Sequence, residues 1–367
     1  MDAPLRIAVN ARALEQDRPP FVRLTAAHVV DRLAAEEDLR LELFATEPLP
    51  NSVLVGSTTQ VLSPSSGALR SASFDQLAFP QAARRSHAQL LLYLHPSAPI
   101  SGPAPSVCWY GDGNSTVTKG REASRLDRSL ARAGLRGAAA VLRPVDSPAE
   151  PIDVRWVAVP PSVPLAFFAG VDAAAVPSDL PEAFVLAVCE PKAAMPLLLA
   201  AWTWVESSLG DTYGLLLTAS NEEERQASQL AADRMGLAES VRSVVLADEA
   251  YPAVFHRAAA LLHGGERSNA AALRWALAGG LPVAVPATAI SESIVGPAGY
   301  LVSPEARALG AACLTLLVEE EIAVSLREKG RARAGSYRPE VAGPAWAGVL
   351  RQIATERVRR SPPARAR

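Results

Sequence analysis

The sequence predicts two doubly wound α/β domains, each a parallel sheet flanked by helices. Three observations carry that expectation. Short apolar runs alternate with helical patterns up to residue 142, and the same rhythm restarts at residue 183. Prolines at 144, 148, 151, 160, 161, 164, 177 and 181 crowd the stretch between, which excludes long helices and suits an interdomain crossing. A chain of 367 residues is long enough for two cores.

The elements follow in order. Leu5 to Asn10 reads as the first strand. Phe21, Leu24, Ala27, Val30 and Leu33 then recur at helical spacing, predicting a helix over Phe21 to Ala35. Leu39 to Ala45 alternates as a strand, and Gln89 to Leu94 and Ser106 to Tyr110 are further strands. Ala138 to Leu142 is expected to close this sheet. After the proline-rich crossing, Ala183 to Cys189, Tyr213 to Thr218, Val241 to Leu246, Ala259 to Leu262 and Pro282 to Val285 form a second sheet. Helices are expected over Pro196 to Ser208, Glu222 to Met235, Ala306 to Glu320 and Glu321 to Ala334. The predicted domains are residues 1–160 and 183–340, with 161–182 as linker. An amphipathic helix over 341–359 folds back toward the first domain. The Pro- and Arg-rich tail, 360–367, is expected to be disordered.

Composition removes several function classes. A net charge of −2 gives no electrostatic basis for a nucleic-acid partner. The basic residues are almost all arginine, with only Lys119, Lys192 and Lys329 as lysines. Cys108, Cys189 and Cys313 are widely spaced and form no CxxC, the pattern of reduced, buried thiols in a cytoplasmic protein. No signal peptide and no apolar stretch of about 20 residues is present, so contact with a membrane would be peripheral. His28, His87, His95, His256 and His263 show no metal-ligand spacing. His95, in LHPSAP after a strand, falls on a loop suited to a cleft, whereas His256 falls on a helix. No Walker loop, GxGxxG or GxSxG follows a strand, and no cofactor is expected.

From Phe184 onward the sequence resembles a known family. FVLAVCEPKAAMPLLLAAW is similar to FILYVGxxEPRKNxxxLLxAF of the family-4 (group 1) retaining glycosyltransferases. VRSVVLADEAYPAVFHRAAALLHGG resembles VxFLGxVxxxELPALYxxADxFVxPS, and ALAGGLPVAVPATAISESIVGPAGYLVSP resembles AMACGTPVVASxxSxLPEVVGDAAxLVDP. Nearer the N-terminus, LRIAVNARAL resembles RIAIDARPL, and VRWVAVPPSV resembles KIxVIPxGV. The resemblance implies the GT-B fold, two Rossmann-like domains facing a cleft. It also implies a nucleotide-sugar donor in the C-terminal domain and a glycan or lipid acceptor on the N-terminal one.

The family's site residues transfer only in part. Its two carboxylates lie eight residues apart in EGFGLPVLE, holding the sugar and the ribose. Aligning ALAGGLPVAV without gaps places Arg267 and Trp275 at those positions, with Ser268 and Ala270 where glycines stand. A register shift of one brings in Glu266 and Arg274 instead. The diphosphate lysine of EPRKN falls on Ala193, leaving Lys192 at the adjacent arginine. The Gly-rich loop GIGRYT becomes PPFVRLT, which keeps Arg23 and Thr25, and the family's HD pair becomes Gly111-Asp112. Glu292 keeps the acid of the loop over the donor, where Ser291 also reads as a helix cap. Gly280 and Pro282 match a turn that the fold requires.

Two functions are compatible with this pattern. One is a glycosyltransferase with an altered donor site, using Lys192, Glu266, Arg267, Asn269 and Glu292 around a sugar nucleotide and Asp112 and Arg23 toward the acceptor. The other is a non-catalytic relative that binds or scaffolds an active glycosyltransferase.

Overall fold

The computed structural model describes residues 3–16, 18–49, 58–62, 70–111, 125–169, 180–188, 194–265 and 269–360. The chain divides into two compact units. One comprises Met1–Val145, Ala149–Ser162 and Pro339–Arg367; the other comprises Asp146–Pro148 and Val163–Arg338.

The N-terminal unit is built on a seven-stranded sheet: β1 (Leu5–Asn10), β2 (Leu39–Ala45), β3 (Thr58–Val61), β4 (Leu90–Tyr93), β5 (Ser106–Trp109), β6 (Ala140–Pro144) and β7 (Trp156–Val159). All pairings are parallel, in the order β3-β2-β1-β4-β5-β6-β7. The sheet does not close at β6, because β7 adds an outer strand from within the proline-rich stretch. Pro151 and Pro160 lie outside that strand, and its pairing leaves the β6 ladder intact.

Helix α1 (Pro20–Ala34) begins with proline at its first position, where a missing N–H costs nothing. Helix α2 (Arg70–Ser73) runs through a π turn at Phe74–Ala78 into α3 (Phe79–Arg85), and α4 (Arg125–Gly137) follows. Strands here bury both faces, as parallel sheets do. Ile7, Val9, Leu90 and Leu92 pack with α1 and with the helix Pro339–Arg360, through Trp346 and Leu350. Ala8, Leu91 and Tyr93 pack the opposite way, against Phe74, Phe79 and Leu135. On that second face the β4–β5 crossing, residues 94–105, contains no helix. The Pro339–Arg360 helix is fastened by a hydrogen bond from Trp346 Nε1 to the Pro160 carbonyl (3.0 Å) and by ion pairs Arg155–Glu356 and Arg351–Glu36.

The second unit carries a six-stranded sheet: β8 (Phe184–Val188), β9 (Gly214–Ala219), β10 (Val241–Val245), β11 (Leu261–Leu262), β12 (Val283–Pro286) and β13 (Tyr300–Val302). Its order is β10-β9-β8-β11-β12-β13, again all parallel. The helices are α5 (Met195–Leu209), α6 (Glu222–Arg234), α7 (Tyr251–Arg257), α8 (Ala270–Gly279), α9 (Ala289–Ile294), α10 (Ala306–Val318) and α11 (Glu320–Ala334); Pro339–Arg360 is α12. One face of the sheet is filled by Leu198, Trp202 and Val205 of α5 and by Leu309, Cys313 and Leu316 of α10. The Cys108 and Cys313 thiols are free and buried, as expected; Cys189 lies outside the described residues.

Candidate functional site

Open parallel sheets bind ligands beyond the carboxyl ends of their strands, where the strand order reverses. In the N-terminal sheet that point lies between β1 and β4. A polar cluster occupies it. Asn10 ends β1, and His95 and Ser97 follow the end of β4. The carboxylate of Asp75, from the π turn, accepts hydrogen bonds from Asn10 Nδ2 (2.8 Å), Arg12 Nη1 (3.1 Å) and Ser97 Oγ (3.0 Å), with His95 Nε2 at 3.4 Å. Tyr93 donates its hydroxyl to the Asp75 carbonyl (3.2 Å). Burial alone would raise the Asp75 carboxyl. The charges of Arg12 and His95, with hydrogen bonds from His95 and Asn10, more than offset it and hold the group well below the usual carboxylate range.

The segment after β1 is braced in layers. Arg18 Nε donates to the Arg12 carbonyl (3.0 Å), and Glu15 accepts from both the N–H and the hydroxyl of Thr46 at 2.6 Å. Arg23, expected toward an acceptor, donates to the carbonyls of Gln16 (3.0 Å) and Arg18 (2.8 Å). It therefore supports the loop that presents Arg12. Asn10, Arg12 and Asp75 were not among the expected site residues. The Asn10-Ala11-Arg12 run just past a strand is a usable signal for two of them.

In the second sheet the order reverses between β8 and β11. Beyond β11 stands His263, fully buried. Its Nδ1 accepts the Gly265 N–H (2.8 Å) and its Nε2 donates to the Asn269 carbonyl (3.0 Å). The ring is therefore neutral. Burial lowers its pKa to about 4, while the bond to the Asn269 carbonyl works the other way. Gly265 has φ of 84°, a region costly for other residues, and a Cβ there would meet Thr288 Cγ2 at 3.3 Å. Thr288 caps α9, donates its hydroxyl to the Gly265 carbonyl (3.1 Å), and forms a reciprocal capping box with Ser291. Ser291 is thus at the third position of the helix and Thr288 is the cap. Glu292 is exposed on the same short helix.

Asn269 immediately precedes α8. An asparagine there ordinarily accepts a bond from the first turn of the helix. This one makes no capping bond; it is 1% exposed, and among the described residues both amide atoms lack a partner. A buried amide so placed costs roughly 1–3 kcal/mol.

Trp275, aligned with the family's second carboxylate, is 1% exposed. Its ring stacks on Phe167 at 4.6 Å and meets Phe255 and Tyr251 edge-on. It is part of the core. Its neighbour Arg274 forms a buried ion pair with Asp146 (2.6 Å) and donates to Ser147 (3.2 Å). Asp112, Lys192, Glu266 and Arg267 lie outside the described residues. Among the described residues no group of three potential metal ligands occurs, and no helix is long and apolar enough to cross a membrane.

His263 makes stability depend on pH. Its folded pKa lies below the ordinary 6.5, so the neutral form stabilises the fold fully above pH 6.5. Protonation of the unfolded chain removes that contribution as pH falls from 6.5 toward 4, by ~1.4 kcal/mol per unit. Urea unfolding across this range is expected to show the decline, and His263→Gln is expected to reduce its slope; His28, which burial and the Arg32 charge also lower to about 4, supplies a second contribution over the same range.

No protein-family model matches this sequence, and no curated protein is similar to it. Solved structures are similar in fold. Sucrose-phosphate synthase from Thermosynechococcus elongatus superposes with a TM-score of 0.72 at 20% identity, covering 96% of this chain and 100% of that one. WaaG, a glycosyltransferase involved in lipopolysaccharide biosynthesis, gives 0.69 at 13% identity, over 94% of this chain and 99% of WaaG. Anabaena HepE in complex with UDP and glucose gives 0.69 at 13% identity, over 95% of this chain and 100% of HepE. The fold is GT-B, as the motifs predicted: two Rossmann-like units, each with a wholly parallel sheet.

Proposed function

We propose that this chain is a glycosyltransferase that holds the diphosphate of a nucleotide-sugar donor at the start of α8. The observation that carries this reading is Asn269. A buried amide without a partner among the described residues, at a helix N-terminus beyond the carboxyl ends of a parallel sheet, is a place prepared for an anion. The helix dipole and the first-turn N–H groups favour negative charge there, and Asn269 Nδ2 adds a donor. Those groups would also stabilise the charge that develops on the diphosphate as it leaves the sugar. Solved GT-B structures with UDP and with UDP-glucose bound agree in ligand class.

The donor site departs from the family pattern at the ribose. Trp275 supplies no carboxylate, so ribose recognition falls to other groups. Lys192 is the alignment's candidate at the diphosphate, and Glu266, Arg267 and Glu292 are its candidates around the sugar. Asp112 and the Asp75 cluster belong to the acceptor side of this reading.

Calorimetric titration with uridine, guanosine and adenosine diphosphates tests it. At least one should bind the wild type. Asn269→Leu should weaken that binding by about 10–100-fold, the worth of a hydrogen bond to a charged group. The same variant should leave the unliganded protein as stable or more stable, because it removes orphaned polar atoms. Unchanged affinity in the variant would refute the role of Asn269. Release of the diphosphate from a sugar nucleotide on adding acceptor would distinguish an enzyme from a non-catalytic binder on the same scaffold.

A further inference from the structure

The second sheet ends in an open edge. Strand β10 is the outermost strand of its order and, among the described residues, pairs only with β9. In a parallel ladder the backbone groups of alternate residues face the same neighbour. The Leu215 N–H donates to the Ser240 carbonyl (2.8 Å), so Ser240, Arg242 and Val244 face β9, and Val241, Ser243 and Val245 face outward. The first half of that outward row is already bonded. The Val241 N–H donates to the Leu237 carbonyl (2.9 Å). The side-chain amide of Gln229, from α6, donates to the Val241 carbonyl (3.1 Å) and accepts the Ser243 N–H (3.0 Å). Gln229 thus lies where an added strand would lie, and it blunts this half of the edge.

The second half is open. The Ser243 carbonyl, both backbone groups of Val245 and the Ala247 N–H make no hydrogen bond among the described residues. Ala247 is still extended, at φ −65° and ψ 149°. Its carbonyl accepts the Ala250 N–H (3.0 Å) as the chain turns into the 3-10 helix Asp248–Ala250. Val245 is 44% exposed. A cleft of about 540 Å³ lies along this edge, lined by Leu180, Arg225, Val245 and Ala250 among others. Along the chain the open groups alternate as acceptor, donor, acceptor and donor. Reversing the direction gives the matching set, so the edge is complementary to itself.

We propose that this edge pairs, antiparallel, with the same edge of a second copy of the chain, about a two-fold axis at Val245. Each Val245 N–H then donates to the Val245 carbonyl of the other copy, and each Ala247 N–H to the other copy's Ser243 carbonyl. Four bonds form and no open group is left over. The neighbouring registers fail. A shift of two residues one way needs the Ser243 N–H, which Gln229 holds; a shift the other way needs the Ala247 carbonyl, which the 3-10 turn holds. In the register about Val245, Val245 faces Val245 and Val244 faces Leu246. Arg242 falls opposite Asp248, so no like charges meet. A foreign extended peptide could take the same backbone bonds, but the second copy brings its own charge match. A two-fold contact is closed, so pairing ends at a dimer. The inference stands apart from the donor site and can fail while nucleotide binding holds.

Sedimentation equilibrium of the full chain tests it. The wild type should pass from monomer to dimer with a dissociation constant on the order of 10 µM, as suits a small interface. Val245→Pro removes an N–H that does not face β9, so the ladder stays intact. It deletes two of the four bonds and should raise the dissociation constant about thirtyfold. Val245→Lys keeps the backbone but sets two like charges face to face. It should raise the constant about tenfold, and about 1 M salt should recover part of the loss. An unchanged melting temperature, measured at a dilution where every form is monomeric, confirms that the variants remain folded; if the proline variant does not fold, the lysine variant decides. A wild type still monomeric about thirtyfold above the expected constant, or an unchanged constant in either folded variant, would overturn the proposal.

Discussion

Asp75→Ala is expected to destabilise the protein by about 3–5 kcal/mol, measured by urea unfolding of the full chain at neutral pH. The residue is the hub of the polar cluster between β1 and β4. Removing its carboxylate leaves the Arg12 guanidinium, the Asn10 amide and the Ser97 hydroxyl facing an empty acceptor position. Arg12 is as buried as its partner, and its guanidinium also lies 5.9 Å from the Phe74 ring centre, so it cannot reach water without disturbing the aromatic layer. Asp75→Asn separates charge from shape. It keeps one acceptor oxygen and should cost less than the alanine variant. It should also abolish the acid sensitivity that arises because the folded-state carboxyl sits below its unfolded value. That contribution is fully present above about pH 4 and is lost as pH falls further. A loss of less than about 1 kcal/mol in Asp75→Ala would mean that water replaces the carboxylate and that the cluster is an open surface feature.

Arg274→Ala is expected to have a comparable effect, again about 3–5 kcal/mol, because it strands Asp146 as a buried charge. The pair is buried on both sides, with Arg274 Nε and Nη2 both bonded to the carboxylate at 2.8 and 2.6 Å. Burial raises the Asp146 carboxyl, but Arg274 and the Tyr337 hydroxyl lower it further than burial lifts it. Asp146→Val with Arg274→Met removes both charges together and should recover most of the loss, to within about 1 kcal/mol of wild type. If the double variant were as unstable as the single ones, the pair would be holding the Asp146–Pro148 segment in place by geometry that apolar contact cannot supply.

The scaffold was largely legible in the sequence, because parallel strands buried on both faces become uninterrupted apolar runs. Leu39–Ala45 and Leu5–Asn10 have the bounds that the pattern assigns them, α5 differs by a residue at each end, and α6 differs by one at its C-terminal end alone. Thr58–Val61 was not legible: an exposed edge strand of four residues with one strongly apolar side chain carries no periodicity. The π turn at Phe74–Ala78 was missed for a related reason, since a short helix broken in the middle presents no clean stripe.

The candidate sites were legible to different degrees. Asn10 and Asp75 meet across 65 positions of sequence, and nothing local announces that meeting. Trp275 could be placed by alignment at a ligand-binding position, yet only its packing against Phe167, Phe255 and Tyr251 shows that it serves the core. Asn269 was selected by its position in the motif. What gives it chemical meaning is a capping bond that it does not make, and that absence becomes visible only in three dimensions.

The central claim is that the loop between β11 and α8 receives a nucleotide diphosphate. Amide hydrogen exchange of the full chain, with and without uridine, guanosine or adenosine diphosphate, measures it directly. Exchange should slow with at least one of them in peptides covering Gly265 and Asn269–Leu273. The amino-end cavity lined by Pro181, Asp211, Tyr213 and Arg242 should be unchanged. Protection at that cavity, or no protection anywhere at saturating ligand, would contradict it.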